Sequence, residues 1–396
     1  MEFIYDVILE KNNFIYWYIS LIAIALFTVL TGIANFFWLK KLPENKLLNT
    51  KDLISILIPA RNEEDIIEST IRSILKQNYQ NFELIILNDN STDQTKNIVE
   101  KLSMKNSQIN LIDGAKLPQG WLGKNWACHQ LSKQSKGKYI LFIDADTQID
   151  KNTLSDALSV IKQDNIDLLS LVPDRDTILI ADNAMKKIIS WFIVCWLPMK
   201  LALSLNAPFL SATFGQFMLF KKSSFNNIGG FESIKDNPVD DFQLGRNIKR
   251  NKLRWTLYDG AKRISTRTYK TNKDFISGYS KNIFPAVGYS ISVFVSIFSI
   301  LLSFVLFSTI PMILYLIGME QNAEFIILSI TLLILLILSW TIVTIRFNYS
   351  IVTPFSFPIL ISLILLLAAR SFADNMFYSS TWKDRKYKTS KKKLKF

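Results

Sequence analysis

The chain has 396 residues, of which 49% are hydrophobic, and a formal net charge of +13 at pH 7. This length is sufficient for one sizeable folded domain together with membrane segments. His129 is the only histidine, which excludes mechanisms that need several histidines. The two cysteines lack Cys-x-x-Cys spacing, so they fit a reducing compartment and carry no sign of a metal site.

The first apolar run covers residues 14–39 and is followed by Lys40 and Lys41. It is too long for a signal-peptide core and has no small-residue cleavage site, so we predict a membrane anchor. Acids dominate before this run and bases follow it. The positive-inside rule therefore predicts that the next domain is cytoplasmic.

Residues 51–172 alternate between β-rich runs and helical patterns. Helices are predicted at 66–77, from Ser91-Thr92-Asp93 through 102, and at 125–134, and strands at 53–58, 82–87, 109–112 and 139–143. Repeated strand–helix units imply a mostly parallel sheet covered by helices. Ligands bind such sheets at the carboxyl ends of the strands.

Polar residues cluster where three of these strands end. Pro-Ala-Arg-Asn-Glu-Glu (59–64) follows the first strand, Asn-Asp-Asn-Ser-Thr-Asp (88–93) follows the second, and Asp144-Ala145-Asp146 follows the fourth. Two acids one residue apart at a strand end can hold Mg²⁺ or Mn²⁺, which in turn binds a diphosphate. No Gly-rich loop follows the first strand, which argues against dinucleotide redox chemistry and ATP hydrolysis.

These three motifs, in this order and spacing, resemble the family 2 glycosyltransferases from about Ser55 to Tyr269. The resemblance implies the α/β GT-A fold, which is a Rossmann-like, mostly parallel sheet with helices on both faces. It also implies inverting transfer from a nucleotide-diphosphate sugar, usually a UDP-sugar, with Mn²⁺ or Mg²⁺ as cofactor and Asp146 as metal ligand. The residues predicted to bind the nucleotide-sugar are Pro59, Arg61, Glu63, Asp89, Lys124, Asp144, Gly230 and Arg267.

The sequence departs from the family pattern beside the predicted site. Asn88 stands where many family members carry an acid, but the next position, Asp89, is the one that carries the function. Arg267 and Tyr269 follow the predicted end of the domain. Arg267 either contacts the diphosphate, with Tyr269 stacked nearby, or forms an ordinary interfacial pair with Tyr269.

The second half of the domain is predicted to hold the acceptor. Gly229-Gly230-Phe231 resembles the family's Gly-Gly-Phe turn, and Asp240-Asp241 resembles an acid pair that opens a helix. The resemblance implies that Asp241 is the catalytic base, and the chemistry needs a carboxylate that takes the acceptor's proton. An acid pair favoured by the helix dipole is the alternative. Residues 251–255 match the Gln-x-x-Arg-Trp motif of processive synthases only in part, which favours single-sugar transfer.

Further short motifs, at 118–128, 214–220, 267–269 and 382–387, resemble membrane glycosyltransferases of bacterial carotenoid and hopanoid pathways. The closest likeness is to the glucosyltransferases of 4,4'-diaponeurosporenoate. We therefore expect a lipid acceptor, a carotenoid or other terpenoid, and glucose as the sugar. Polyprenyl phosphate, diacylglycerol and a nascent polysaccharide remain alternative acceptors. Residues 188–205 are apolar and aromatic, and form either a membrane-facing path for the acceptor or a buried core helix.

Three more apolar runs follow, at 284–317, 325–345 and 355–369, and the last is short, with about 15 residues against the ~20 that a span needs. The basic tail is predicted to lie inside, which three full spans would not allow. We therefore expect 355–369 to be interfacial or re-entrant, or 284–317 to begin as a surface helix. Each tail lysine is attracted to anionic lipid headgroups by about 1 kcal/mol. Nucleic-acid binding is the other interpretation of a basic tail, and the membrane segments beside the tail disfavour it.

The predicted organisation is therefore a membrane anchor (1–49), a GT-A catalytic domain (50–275), a membrane region of two or three helices (276–380) and a basic cytoplasmic tail (381–396). The protein is expected in the cell membrane as a multi-pass protein with a cytoplasmic catalytic domain. A nucleotidyltransferase is the alternative class of enzyme, but it would need a Gly-rich basic loop after the first strand, and residues 59–64 do not form one. A scaffold with a decayed catalytic domain is disfavoured by the intact aspartates of the motifs.

Overall fold

The computed structural model describes residues 11–44, 51–267, 269–319, 322–377, 380–382 and 385–387. The acids before the first apolar run (Glu2, Asp6 and Glu10) and most of the basic tail lie outside these residues. The topology predictions that rest on them therefore stay predictions.

The strands form a central sheet, a small second sheet and a short hairpin. They are β1 (Ile54–Ala60), β2 (Phe82–Asn88), β3 (Ile109–Asp113), β4 (Tyr139–Phe142), β5 (Thr147–Ile149), β6 (Leu168–Val172), β7 (Asp174–Asp176), β8 (Met218–Lys221), β9 (Trp255–Asp259), β10 (Ile264–Arg267), β11 (Ser380–Trp382) and β12 (Arg385–Tyr387). The central sheet has the order β3-β2-β1-β4-β8-β6-β9, and β8 runs antiparallel to its neighbours. The second sheet has the order β5-β10-β7.

Helices cover the sheet and extend beyond it at both ends of the chain. They are α1 (Lys11–Trp38), α2 (Ile67–Leu75), α3 (Thr95–Ser103), α4 (Gly123–Gln134), α5 (Thr153–Gln163), α6 (Ile180–Trp191), α7 (Met199–Ser204), α8 (Lys222–Asn227), α9 (Asp240–Arg250), α10 (Asn272–Ala286), α11 (Ile291–Leu316), α12 (Ala323–Phe347) and α13 (Phe357–Phe377). A π-helix covers Phe192–Trp196, and 3₁₀ turns cover Gly230–Ile234 and Thr353–Ser356.

The predicted strands and helices of the first half are confirmed to within a few residues at each end. Helix α3 begins later than expected, at Thr95, whose backbone N–H donates to the side chain of Asp93. Alternate side chains of β1 enter two cores, as a strand buried on both faces requires. Leu57 belongs to the core that includes α4, whereas Ile56 and Ile58 belong to the core that includes α2. Because β1 lies between β2 and β4, the carboxyl ends of all three strands meet at one edge.

Four helices in the described part of the chain are long and apolar enough to cross a membrane: Phe14–Trp38, Ile291–Leu316, Ala323–Phe347 and Thr353–Met376. Two expectations about them need correction. The run at 284–317 is not one helix, because Gly288 and Tyr289 adopt left-handed backbone angles and break it between α10 and α11. The run at 355–369 is not short, because its helix continues through polar residues to Phe377.

Both ends of α13 lie near the same end of the α11–α12 pair. Only five residues, 348–352, separate α12 from the 3₁₀ turn that precedes α13. Towards its other end, Ser371 accepts a hydrogen bond from the backbone N–H of Phe284, and Phe372 stacks on Phe294 with ring centroids 5.2 Å apart. Phe294 is near the first residue of α11. Helix α13 therefore runs from the last turn of α12 to the first turn of α11.

The membrane-facing interpretation of residues 188–197 is wrong, because this segment is buried between the catalytic domain and the candidate spans. Trp191 stacks on Trp340 of α12 at 5.0 Å and donates to the hydroxyl of Ser339. The Asn35 side chain of α1 donates to the carbonyls of Val194 and Leu197. A π-helix leaves carbonyls without helical partners, and this amide satisfies two of them. Tertiary contacts thus fix the domain on the helices.

Candidate functional site

The loops after β1 and β2 are joined by hydrogen bonds and form one side of the site. Arg61 donates to the carbonyls of Asp89 and Asn90, at 2.7 and 3.2 Å. The backbone N–H of Thr92 donates to the side chain of Asn62 at 2.8 Å. Asn62 and Asn90 have φ angles of 52° and 54°, which asparagine tolerates better than most residues. These contacts hold the buried side chain of Asp89 at the sheet edge.

A second set of bonds aligns the start of α2 with that of α3. The backbone N–H of Glu63 donates to Thr95 Oγ1 at 2.7 Å. Glu64 donates its N–H to Asp93 Oδ2 and accepts from the N–H of Gln94. The exchange resembles a capping box, but it links two loops rather than two ends of one turn. It keeps Glu63 close enough to the Asp-x-Asp motif to raise the pKa of Asp146.

Asp146 lies where β4 meets the second sheet. The backbone N–H of Arg267 donates to its carbonyl at 3.2 Å, whereas the Arg267 side chain is exposed. Burial, followed by the charges of Asp144 and Glu63, raises the pKa of Asp146 to about 7. A hydrogen bond with Thr266 opposes this shift. Clustered carboxylates with a raised pKa favour an added cation.

Lys124 stands at the start of α4 among acids from two parts of the chain. Its Nζ lies 2.8 Å from Asp144 Oδ1 and 3.5 Å from Asp240 Oδ2. Burial lowers the pKa of Lys124, but these two carboxylates outweigh burial and raise it well above its usual value. The ammonium group is therefore charged, and it joins the Asp-x-Asp motif to the acid pair of α9.

Asp241 lies in the first turn of α9, as predicted for the acid pair. Its carboxylate accepts from the backbone N–H groups of Phe242 at 2.7 Å and Gly215 at 3.1 Å. Burial and the neighbouring Asp240 raise the pKa of Asp241 to about 7, although Lys124 and both backbone donors oppose the shift. A carboxylate with this pKa can accept a proton near neutral pH.

Gly215 is a site residue that the sequence analysis missed. A Cβ placed there would lie 3.4 Å from Lys124 Nζ, 3.6 Å from Asp241 Oδ2 and 3.7 Å from Asp144 Oδ2. The backbone therefore passes through the point where three predicted site residues meet. The available signal was the short motif at 214–220, which contains this glycine.

The remaining predicted residues lie further from this point. Pro59 is the penultimate residue of β1 and pairs with Leu87. Gly230 has a φ of 49°, and a Cβ there would lie 2.8 Å from the ring of Phe225, so its backbone fits against the aromatic core. Tyr269 packs over Gly278 of α10. The roles of Gly230 and Arg267 toward a sugar nucleotide stay predictions.

No group of three or more His, Cys, Asp or Glu side chains placed to share a metal ion occurs in the part of the chain that the structure describes. Asp146 and Asp144 alone would leave most of a six-ligand shell to other oxygens. This donor set fits a cation that is shared with a diphosphate.

Comparison with known proteins identifies the domain. Residues 55–229 match the family model described as Glycosyl transferase family 2. This segment, somewhat less than half of the chain, is similar to the family 2 glycosyltransferases. This match confirms the predicted family, and the parallel part of the sheet with its flanking helices confirms the predicted fold class.

Two curated glycosyltransferases resemble parts of the chain. The chain is 25% identical over 244 residues to a 4,4'-diaponeurosporenoate glycosyltransferase of Staphylococcus haemolyticus. This alignment covers 61% of this chain and 63% of the relative. It is 35% identical over 121 residues to a poly(ribitol-phosphate) beta-N-acetylglucosaminyltransferase of Staphylococcus aureus. That alignment covers 29% of this chain and 20% of the relative. The matches thus span less than two thirds of either relative.

A solved structure resembles the chain over most of its length. It is a mannosyltransferase from Pyrobaculum calidifontis in complex with GDP-mannose and Mn²⁺, with a TM-score of 0.53 and 14% identity. The alignment covers 90% of this chain and 99% of that one. At this identity the likeness supports the fold alone, and it includes regions outside the family match.

The position of Gly215 yields a test of the site. In Gly215→Ala the added methyl makes only ordinary van der Waals contacts, at 3.4 Å or more, so the fold should be retained. The methyl would occupy the space between Lys124, Asp144 and Asp241, and we expect at least a tenfold loss of sugar transfer with an unchanged melting temperature. Full activity in the variant would show that the reacting groups do not pass this point.

Proposed function

We propose that this protein is a membrane-bound glycosyltransferase that moves a single sugar, glucose, from a UDP-sugar to a carotenoid or other terpenoid lipid. The observation that supports the transfer most directly is the meeting of Lys124, Asp144 and Asp241 around Gly215. One ammonium group and two carboxylates from separate motifs lie 3.4–3.7 Å from the Cβ position of Gly215. The acceptor class rests on the likeness to the diaponeurosporenoate glycosyltransferases.

Each group in the proposed mechanism has a distinct task. Asp89, whose loop is held by Arg61, would contact the nucleoside, and the ammonium group of Lys124 would neutralise a diphosphate oxygen. Asp241 would accept a proton from a hydroxyl acceptor as the acceptor oxygen attacks the anomeric carbon. A single displacement assisted by one base inverts the configuration at that carbon.

Asp146, with Asp144 beside it, would hold Mn²⁺ or Mg²⁺. The fit rests on the chemistry of two carboxylates one residue apart at the end of β4, and on the pKa of Asp146, which burial and then the charges of Asp144 and Glu63 raise. When bound, such an ion would stabilise the charge of the leaving diphosphate. The residues of the chain would still provide the orientation and the proton acceptor.

The proposal is tested by UDP release from a panel of UDP-sugars, with detergent-purified protein, Mn²⁺ and a bacterial lipid extract. We expect release that depends on the lipid and is specific for one sugar, and the mass of the product will identify the acceptor. In Asp146→Ala, release should fall at least a hundredfold, because the diphosphate loses its charge partner.

The matched control is Asp164→Ala. Asp164 is an exposed acid directly after α5, outside the cluster. It should behave like the wild-type protein. Failure of the wild-type protein to bind or cleave any UDP-sugar would refute the proposal.

The pKa of Asp241 predicts a pH profile. Only the ionised carboxylate accepts a proton, and its pKa of about 7 means that this form is lost as the pH falls below about 7. With a hydroxyl acceptor, transfer should therefore rise with pH between about 6 and 8. Asp241→Asn should lower transfer by about 10²–10⁴-fold and abolish this rise.

A carboxylic acid acceptor would respond differently, because it is already ionised at neutral pH. In that case Asp241→Asn should cost much less. A hydroxyl acceptor whose transfer has the same pH profile in the wild-type and Asp241→Asn proteins would exclude Asp241 as the base.

We further propose that the catalytic domain is cytoplasmic and that α13 does not cross the bilayer. Helices α11 and α12 form an antiparallel pair, and α13 begins and ends near the domain end of this pair. Arg346 at the end of α12 forms an ion pair with Asp259 of the catalytic domain at 3.2 Å, which marks that end. A helix lying at the surface would leave the basic tail on the cytoplasmic side, as the positive-inside rule favours.

Cysteine labelling in right-side-out and inverted vesicles tests this topology. Ser350→Cys and Arg370→Cys, near the two ends of α13, should react with an impermeant maleimide from the same side as Lys262→Cys in the catalytic domain. Met319→Cys, at the far end of the α11–α12 pair, should react from the opposite side. The native cysteines are buried and give a low background. Labelling of positions 350 and 370 from opposite sides would show that α13 spans.

A further inference from the structure

An apolar surface lies beside the candidate spans, on the half of the domain that carries Asp241. We call it the α7 lip and define it by four side chains, Leu201, Leu203, Leu205 and Phe209, which are 48%, 40%, 49% and 77% exposed. Three of the four are leucines close together in the chain, and the fourth is an aromatic side chain. Grouped exposure of this kind marks an interaction surface more often than scattered single residues do.

The α7 lip adjoins the outer face of α1. Lys200 places its Nζ 5.5 Å from the ring of Trp38, and Met199 donates its N–H to Asn35 at 3.1 Å. Phe37, at the same end of α1, is 75% exposed. The lip is therefore close to the apolar face of a helix that is long and apolar enough to span, at the end that Lys40 and Lys41 follow. Bases beside an apolar surface fit an anionic leaflet.

The lip is held against the catalytic helix by a buried cation. Lys249 of α9 donates to the carbonyls of Ala202 and Leu205, and its side chain is almost fully buried. It also lies over the ring of Trp255, with Nζ 5.2 Å from the ring centroid. The donated hydrogen bonds satisfy carbonyls at the end of α7. Lys249 thus acts as a positioning residue for the lip.

The chain then runs along α9 from the lip to the site. Thr213 packs so closely on Gly245 that a Cβ there would lie 2.2 Å from Thr213 Oγ1. One turn further on, Gly215 donates its N–H to Asp241. Positions 249, 245 and 241 of α9 are successive turns, so residues 205–215 follow the helix over about 12 Å, at 1.5 Å per residue.

We propose that the α7 lip binds the apolar chain of the lipid acceptor at the membrane surface, and that residues 205–215 guide the acceptor head to Asp241. This inference rests on the proposed function and adds the place at which the acceptor enters. A lipid chain is the occupant because the lip continues the apolar face of α1 and has bases beside it. The distance along α9 sets how far the acceptor head reaches out of the leaflet.

Two measurements on the full-length protein test the inference. In phosphatidylglycerol vesicles that contain a diazirine-bearing palmitic acid, photolabelled peptides should include residues 201–209. Phe209→Asp and Leu205→Asp, each at an exposed position that tolerates a polar side chain, should lower both this labelling and transfer to the lipid extract by about tenfold. UDP-sugar binding should be unchanged in both variants. Met104→Asp, at an equally exposed apolar position near the end of α3, should match the wild-type protein in every readout.

Wild-type transfer rates in both lip variants, or photolabel absent from residues 201–209, would overturn the inference. A wild-type protein that binds no UDP-sugar would instead refute the proposed function. Binding of the sugar nucleotide is measured without any lipid, so the two failures are distinguishable.

Discussion

The site depends on one electrostatic constraint, the gathering of several carboxylates at a single edge of the sheet. Asp144 and Asp146 come from the end of β4, Asp240 and Asp241 from the start of α9, and Glu63 from the loop after β1. Burial, followed by the charges of neighbouring carboxylates, raises the pKa values of Asp146 and Asp241 to about 7. Lys124 and the backbone donors of Gly215 and Phe242 offset part of this effect. In the proposed mechanism, the remaining negative charge would attract a cation and the positive charge that develops at an anomeric carbon.

Holding these charges in place requires a rigid frame, which the chain builds at two levels. Near the site, reciprocal hydrogen bonds join the loops after β1 and β2, and Lys249 ties α7 to α9. Further out, the stacking of Trp191 on Trp340 and the bonds of Asn35 join the domain to the candidate spans. The sheet edge, α9 and the apolar helices are therefore held in fixed positions relative to one another. A membrane acceptor needs this arrangement, because its head must arrive at the same place each time while its tail stays in the lipid.

Local sequence patterns predicted much of the fold, and the predictions that were wrong or incomplete have a common cause. The alternation of apolar runs and helical periods predicted β1 to β4, and the acids after each strand predicted the site edge. Residues 188–197 were ambiguous because a helix buried against other helices and one facing lipid carry the same apolar sequence. The break at Gly288 and Tyr289 was missed because long apolar runs lie on both sides of it, although Gly288 and the N-cap residue Ser290 mark it. Gly215 was missed because its importance lies in what surrounds it, and Lys124, Asp144 and Asp241 are far from it in sequence. Local sequence thus predicts elements, whereas contacts between distant segments decide which surfaces are covered.

The pKa of Asp241 also bears on how the site would treat different acceptor heads. A hydroxyl approaches as a donor and is matched by an ionised carboxylate. A carboxylic acid approaches as an anion, which adds charge to a cluster already rich in acids, and it would be matched by the protonated form of Asp241. Near its pKa the side chain can supply either form at small cost, since one pH unit corresponds to about 1.4 kcal/mol. In the proposed mechanism, the same carboxyl would serve as a proton acceptor for alcohols and as a hydrogen-bond donor for carboxylates. Its environment would then not select between these acceptor classes, and selection would fall to the path that brings the acceptor head to α9.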